Sequence, residues 1–254
     1  MFAILIYFIA GMGAGIGTGL AGMSAAAVIS PMLITFLGFD AYEAIGIALA
    51  SDVLASAVSA YTYGKNKNLD IKNGMVMLCS VLIFTMISSY VSSLVPSTTM
   101  GNFSMYMTLI VGLKFIFKPV MTAPEARDTK SQKRKNIESI ICGAIIGMIC
   151  GFVGAGGGMM MLLILTSVLQ YELKTAVGTS VFIMTFTAFT GAVSHFYIGG
   201  MPDMMALICC VIFTFIGARL AALFGNKADP KLLNQATGVV LTGLGLVILI
   251  MNLI

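Results

Sequence analysis

The sequence predicts an all-α polytopic membrane protein built from two inverted-topology repeats. Each repeat is expected to hold a glycine-broken first helix pair, a helical hairpin, followed by three transmembrane helices. Three observations lead there. Charged residues make up 9% of the chain and hydrophobic residues 59%, whereas soluble domains carry about 25% charge. A shift of 132 residues lays Gly15, Gly19 and Gly22 onto Gly147, Gly151 and Gly154, Ala44 and Gly46 onto Ala176 and Gly178, and Asn102 onto Asn234. Finally, the basic residues cluster between the two copies.

With so little charge and a mean hydropathy of +1.01, the whole chain reads as one membrane domain: repeat one at 1–118, a basic linker at 119–136, and repeat two at 137–254. The formal net charge of +4 matters less than its distribution. No Lys or Arg precedes Lys65, and half of the 14 lie in 114–138. Such a linker is expected on the cytoplasmic side of the plasma membrane under the positive-inside rule. The basic run is short and lacks interleaved aromatics, which excludes a nucleic-acid partner. The N-terminal apolar run has no basic leader and reads as a first membrane segment rather than a cleaved signal.

The elements follow in order. In repeat one, an apolar run at 2–37 is broken near Gly22, and stretches at 41–63, 74–95 and 100–117 come after it. In repeat two, 137–169 is broken near Ala155, and 175–198, 204–224 and 232–253 follow. Turn-forming residues separate them, as at 38–40, 64–70, 96–97, 199–203 and 226–230. The first run is too long for one pass, because 36 helical residues reach about 54 Å against a hydrocarbon core of about 30 Å. Gly costs about 1 kcal/mol against Ala inside a helix, so the clusters mark a break. Charge agrees. With the linker inside, a fold-back of 137–169 places the loop flanked by Arg219, Lys227 and Lys231 inside and the base-free 199–203 loop outside. A single straight pass would do the reverse. The two halves then have opposite orientation.

The run Gly147-x-x-x-Gly151-x-x-Gly154-Ala155-Gly156-Gly157-Gly158, its degenerate first copy, the segments 176–180 and 217–220, and the basic central loop resemble the TauE/SafE family. The resemblance covers nearly the whole chain. It implies a permease that exports sulfite or organosulfonates such as sulfoacetate, with no cofactor. The first copy departs from the family's triple glycine: Ser24, Ala25 and Ala26 stand where Gly156, Gly157 and Gly158 do.

A small anionic substrate needs hydrogen-bond donors where water is scarce. The first N–H groups of a broken helix supply them, reinforced by its dipole. The expected cradle is therefore the pair of tips: Gly22, Ser24 and Ala25 in repeat one, and Gly154, Gly156, Gly157 and Gly158 in repeat two. The competing reading is close helix packing through small residues, which Gly15-x-x-x-Gly19 and Gly147-x-x-x-Gly151 are expected to provide. Thr179 and Ser180 are candidate donors to the substrate. Arg219 either pairs with the substrate anion or snorkels to the interface. Asp52 falls near the centre of its stretch, where a carboxylate costs several kcal/mol unless paired, hydrated or protonated. It is either the coupling group or a structural acid bonded to Ser51 or Ser56. Its counterpart in repeat two is Met184.

The remaining chemistry is sparse. The one histidine, His195, cannot make a multi-histidine metal site and is expected to pack near the interface. The five cysteines read as packed thiols and the 20 methionines as adaptable packing rather than a copper site. Asn102 and Asn234 are expected to cap helices. An anion channel, or a permease for another small anion, shares these features with a carrier. An intramembrane hydrolase built on Gly22-Met23-Ser24 and His195 lacks the surrounding pattern. The bilayer is the evident partner, and a homodimer is the oligomer considered.

Overall fold

The computed structural model describes residues 2–92, 94–95, 132–153 and 157–227, with single positions 113, 117, 229, 235, 239, 242, 243 and 246. Gly154 and Gly156 of the expected cradle, Asn102, Asn234, most of the basic linker and nearly all of the last stretch of each repeat lie outside the described residues. Among those described, every element is helical: α1 (Phe2–Ala21), α2 (Ala26–Leu37), α3 (Ala41–Lys65), α4 (Ile71–Ser92), α5 (Gln132–Val153), α6 (Gly157–Ser167), α7 (Leu173–Gly199) and α8 (Met204–Gly225). Five of them, α1, α3, α4, α7 and α8, are long and apolar enough to cross a membrane. The order long, short, long, long occurs twice, and a shift of 132 carries each of the first four helices onto its later counterpart.

Local chemistry sets the boundaries. Gly22 ends α1 in the left-handed region at φ 61°; its N–H bonds to Thr18 O, and that of Met23 to Gly17 O. Gly38 ends α2 the same way at φ 68°. Asp40 caps α3, its carboxylate accepting from the Tyr42 and Glu43 amides, and Asp203 caps α8 by accepting from Ala206 N–H. These caps satisfy amides that a helix start leaves free.

The first pair is a hairpin with unequal arms. Met23 packs on Gly17 and Val28 on Gly13, so α2 doubles back along α1. Twenty residues of α1 rise about 30 Å, enough to cross, while the 12 of α2 rise about 18 Å. The break therefore does not fall halfway through the run. The earlier glycines belong to a helix seam and only Gly22 belongs to the turn.

Two seams of this kind lock the halves together. Gly11, Gly15 and Gly19 face α8. A Cβ on Gly11 would lie 2.7 Å from Phe213 Cβ, while Gly15 abuts Thr214 O and Gly19 abuts Ala218 O. Gly143, Gly147 and Gly151 face α4 through Met77 O, Val81 O and Thr85 O. Both seams run parallel, and one is the other moved by 132. Backbones this close are how helices gain dispersion energy where lipid removes the hydrophobic drive. At the centre, α3 packs on its own counterpart α7. Gly46 meets His195 and Phe196, Leu49 meets Gly191, and Tyr63 meets Gly178, so the two equivalent helices run antiparallel. Large apolar side chains such as Phe8, Ile83, Ile141, Phe189 and Leu223 are exposed on the outside, as a lipid-facing surface requires.

Candidate functional site

The first break meets the start of α6. Gly158, in the first turn of α6, sits directly on the first break: a Cβ there would lie 2.5 Å from Gly22 O and 2.7 Å from Ser24 N. Gly22 in turn abuts the Ser180 hydroxyl of α7, which donates to Val177 O at 2.8 Å. The meeting point is level with the middles of α3 and α7, where Asp52 and Met184 lie. Gly22, Ser24, Ala25, Gly158 and Ser180 are thus brought together from three separate segments. Gly157 opens α6 beside them.

Asp52 holds the first break. It is 1% exposed. Its carboxylate accepts hydrogen bonds from the Ser24 hydroxyl, the Ala25 backbone N–H and the Thr18 hydroxyl. The Thr18 contact is long, 3.5 Å, against 3.0 Å to Ala14 O; with one proton to give, Thr18 serves the carbonyl first. Among the described residues Asp52 has no basic partner within ion-pair range. The positive end of α2 is its counter-charge. Ser51 and Ser56, the partners weighed from sequence, bond instead to the carbonyls of Ile47 and of Asp52 itself. The second break has no such acid. Met184 takes the equivalent place, with its sulfur 2.5 Å from the position a Gly158 Cβ would occupy, and Cys150 replaces Thr18. A twofold scaffold therefore carries one-sided chemistry.

Two expected donors lie elsewhere. Thr179 is one residue from Ser180, and on a helix that turns it by about 100° to another face. Its hydroxyl accepts from Asp70 N–H at 3.1 Å, in the connection between α3 and α4. Arg219 is exposed on α8. Thr18, which completes the Asp52 shell, went unnoticed in the sequence, although it lies one helical turn before Gly22.

The two ends of the α3–α7 pair differ. At one end a cavity of about 480 Å³ is lined by Asp40, Tyr42, Glu43, His195 and Phe196. At the other end the corresponding positions are tied together. Lys174 Nζ donates to Asn226 O at 2.8 Å and Asn68 Nδ2 to Asn226 Oδ1 at 3.0 Å. Tyr171 donates to Asp70 Oδ2 at 3.1 Å and Tyr63 to Gly19 O at 3.1 Å. A shift of 132 places Tyr42 on Lys174 and Tyr63 on His195, so cavity and latch are built at equivalent sites. The latch end carries Lys65, Lys67, Lys72, Lys174 and Lys227 against Asp70 and Glu172; the cavity end carries Asp40, Glu43 and Asp203.

Comparison with known proteins finds related sequences along nearly the whole chain. The sequence profile of the family described as "Sulfite exporter TauE/SafE" matches residues 7–248. The probable membrane transporter protein YunE of Bacillus subtilis (strain 168) is 26% identical over 264 residues, covering 96% of each chain. The probable membrane transporter protein YdhB of the same organism is 22% identical over 236 residues, covering 93% of this chain and 94% of its own. The probable membrane transporter protein MJ0441 of Methanocaldococcus jannaschii is 26% identical over 265 residues, covering 96% of this chain and 95% of its own.

Proposed function

The chain belongs to the TauE/SafE family and is a multi-pass membrane transporter, not an enzyme, and from that premise we propose that it carries small sulfur oxyanions such as sulfite or sulfoacetate out across the plasma membrane by alternating access. The observation that carries this reading is the direct contact of the two breaks at Gly22 and Gly158. A solute held there touches both halves at once. Backbone amides at a helix start suit an anion's oxygens, and the glycines let it approach without a Cβ in the way. The Ser24 hydroxyl, which here donates to Asp52, and the Ser180 hydroxyl, which here donates to Val177 O, would turn to the solute.

Antiparallel packing of α3 on its counterpart α7 supports opposite orientation of the repeats. The gathering of lysines at the latch end supports a cytoplasmic assignment for that end. A cavity at one end and a latch at the equivalent place at the other is what a carrier resting open to one side requires. Exchange of the two arrangements would open the latch and close the cavity.

Purified protein in liposomes tests the proposal with sulfite, sulfoacetate, sulfolactate and sulfate. Saturable counterflow of at least one sulfur oxyanion is expected. Flux that never saturates would reject a carrier, and failure to move any of the four would reject the substrate class. Tagging the 199–203 loop tests orientation; labelling only from the cytoplasm would defeat it.

A further inference from the structure

The cavity at the acidic end has a chemistry of its own. His195 lines it and is 1% exposed. Its ring stacks on Tyr42 with centroids 4.2 Å apart, and Nδ1 lies 2.9 Å from Gly191 O. A carbonyl only accepts, so in the neutral ring Nδ1 carries the proton and Nε2 keeps a lone pair. That Nε2 is buried and has no hydrogen-bond partner among the described residues. Nearby on α4 the Thr85 hydroxyl is also buried and unpartnered, with its methyl 3.7 Å from where a Gly191 Cβ would be. Two orphaned polar groups in one layer of a membrane protein call for something that the protein does not supply.

The groups around His195 define what that is. From α3 and its cap come Asp40, Tyr42 and Glu43; from the cap of α8 comes Asp203, whose N–H is held by Glu43 Oε1 at 2.8 Å. Tyr42 spends its proton on Ser89 O at 3.3 Å. Among the described residues the facing parts of α4 and α5 bring no charged side chain, only uncharged groups such as Thr85, Ser89 and Cys150. The last carbonyls of α7 add partial negative charge. Acceptors therefore prevail, which is wrong for an anion and right for a proton donor. A hard metal ion is a poorer fit, since it wants several oxygens, and no three His, Cys, Asp or Glu among the described residues are placed to hold one.

We propose that this cavity is a proton-loading site, where His195 Nε2 takes a proton from the medium ahead of Asp52. The idea rests on the transporter reading above. The step balances: once the cavity wall moves aside and admits water to the buried Nε2, hydronium gives its proton there and leaves as water, and the imidazolium later gives a proton to the Asp52 carboxylate and returns to neutral. Gly46 packs on His195, and Asp52 lies six residues further along α3, about 9 Å of rise. Ile45, Leu49, Ala188 and Ala192 form an apolar plug between the two levels, so the second transfer waits for the plug to part. Once protonated, Asp52 releases its charge-assisted hold on Ser24 and Ala25 and frees that break for the anion.

The chain has a single histidine, so ¹⁵N-histidine-labelled protein in nanodiscs gives one imidazole signal, independent of any cargo. In an alkaline medium the expected tautomer has a protonated Nδ1 and a bare Nε2, and acidifying the medium protonates Nε2. A ring that carries its proton on Nε2, or that ignores the medium throughout, overturns the proposal. A second measurement uses sulfoacetate in proteoliposomes, comparing acid-driven net flux with counterflow. In His195→Gln that ratio is expected to fall at least tenfold; an unchanged ratio also overturns it. Absence of counterflow in the wild type would instead refute the transport reading, leaving the spectrum to judge the site.

Discussion

The contact between the breaks makes a quantitative prediction for Gly158→Ala. One methyl is added, at a point 2.5 Å from both Gly22 O and Met184 Sδ and 2.7 Å from Ser24 N. The Met184 side chain can swing away, but the two backbone atoms belong to the first break and cannot. To restore an ordinary contact of about 3.3 Å, the breaks must part by about 0.8 Å. Overpacking of this size costs about 1–3 kcal/mol, less whatever Ala gains in helix propensity, about 1 kcal/mol. For a chain of this size the melting temperature should fall by only a few degrees. The anion geometry suffers far more, because a shift of about 1 Å at a binding site costs up to a hundredfold. Gly13→Ala is the matched control: its Cβ would find Val28 at 3.8 Å, an ordinary contact, so stability should hold or rise and transport should persist. The assay is a thermal melt in detergent beside sulfite counterflow in liposomes. If Gly158→Ala melted with the wild type and transported at its full rate, the breaks would not form the site.

Three further outcomes follow from the same geometry. Asp52→Asn keeps a side chain able to accept from Ser24 and Ala25 and should fold, whereas Asp52→Ala leaves buried donors unpaired and should lose about 1–3 kcal/mol in a denaturation series; only the Asn variant separates charge from structure, and its transport current on a supported membrane should no longer respond to pH. Gly15→Leu and Gly147→Leu each drive a side chain into the backbone of the partner helix, so both should abolish folded protein on size exclusion, and equally, since the seams are copies. Asn226→Ala removes the bond to Asn68 and leaves Lys174 on the backbone carbonyl; a cysteine placed at Ser180 in a cysteine-free background should then react several-fold faster with a membrane-impermeant maleimide from the basic face, and an unchanged rate would mean that the latch does not gate.

The long-range order of this fold is legible in its sequence because it was written twice. The 132-residue shift found the helix equivalences, and the depth of Asp52 in its apolar stretch pointed to the centre. Local rules failed where a residue's neighbour lies far along the chain. Gly15-x-x-x-Gly19 and the glycines of the break look alike in one dimension; only α8 lying alongside makes the first a seam. Thr179 and Ser180 are adjacent letters, yet helical phase sends one to the Asp70 connection and the other to the site. Asn68 and Asn226 are 158 residues apart with no pattern to join them. Gln170 shows the reverse case: it adopts φ 58° at the position equivalent to Gly38, so the turn outlived the glycine that would announce it.

Duplication explains why the halves fit, but function depends on where they differ. A perfectly symmetric pair of breaks, each with an acid, would place two buried carboxylates level with each other, and like charges at that depth cannot both ionise. Two breaks without an acid would hold an anion but would have no group to release it. With Asp52 on one side and Met184 on the other, one set of amides is already engaged by the protein's own charge. On the other side the Met184 sulfur lies beside Gly158. On the reading proposed above, loading the solute then need not disturb a second resident anion, and a single proton on Asp52 would change what the first break offers. The same division appears at the ends, where acids and His195 gather at the cavity and lysines at the latch. On the transport reading proposed above, the scaffold would supply two equivalent positions for the moving parts, and the substitutions between its copies would make one direction of travel differ from the other.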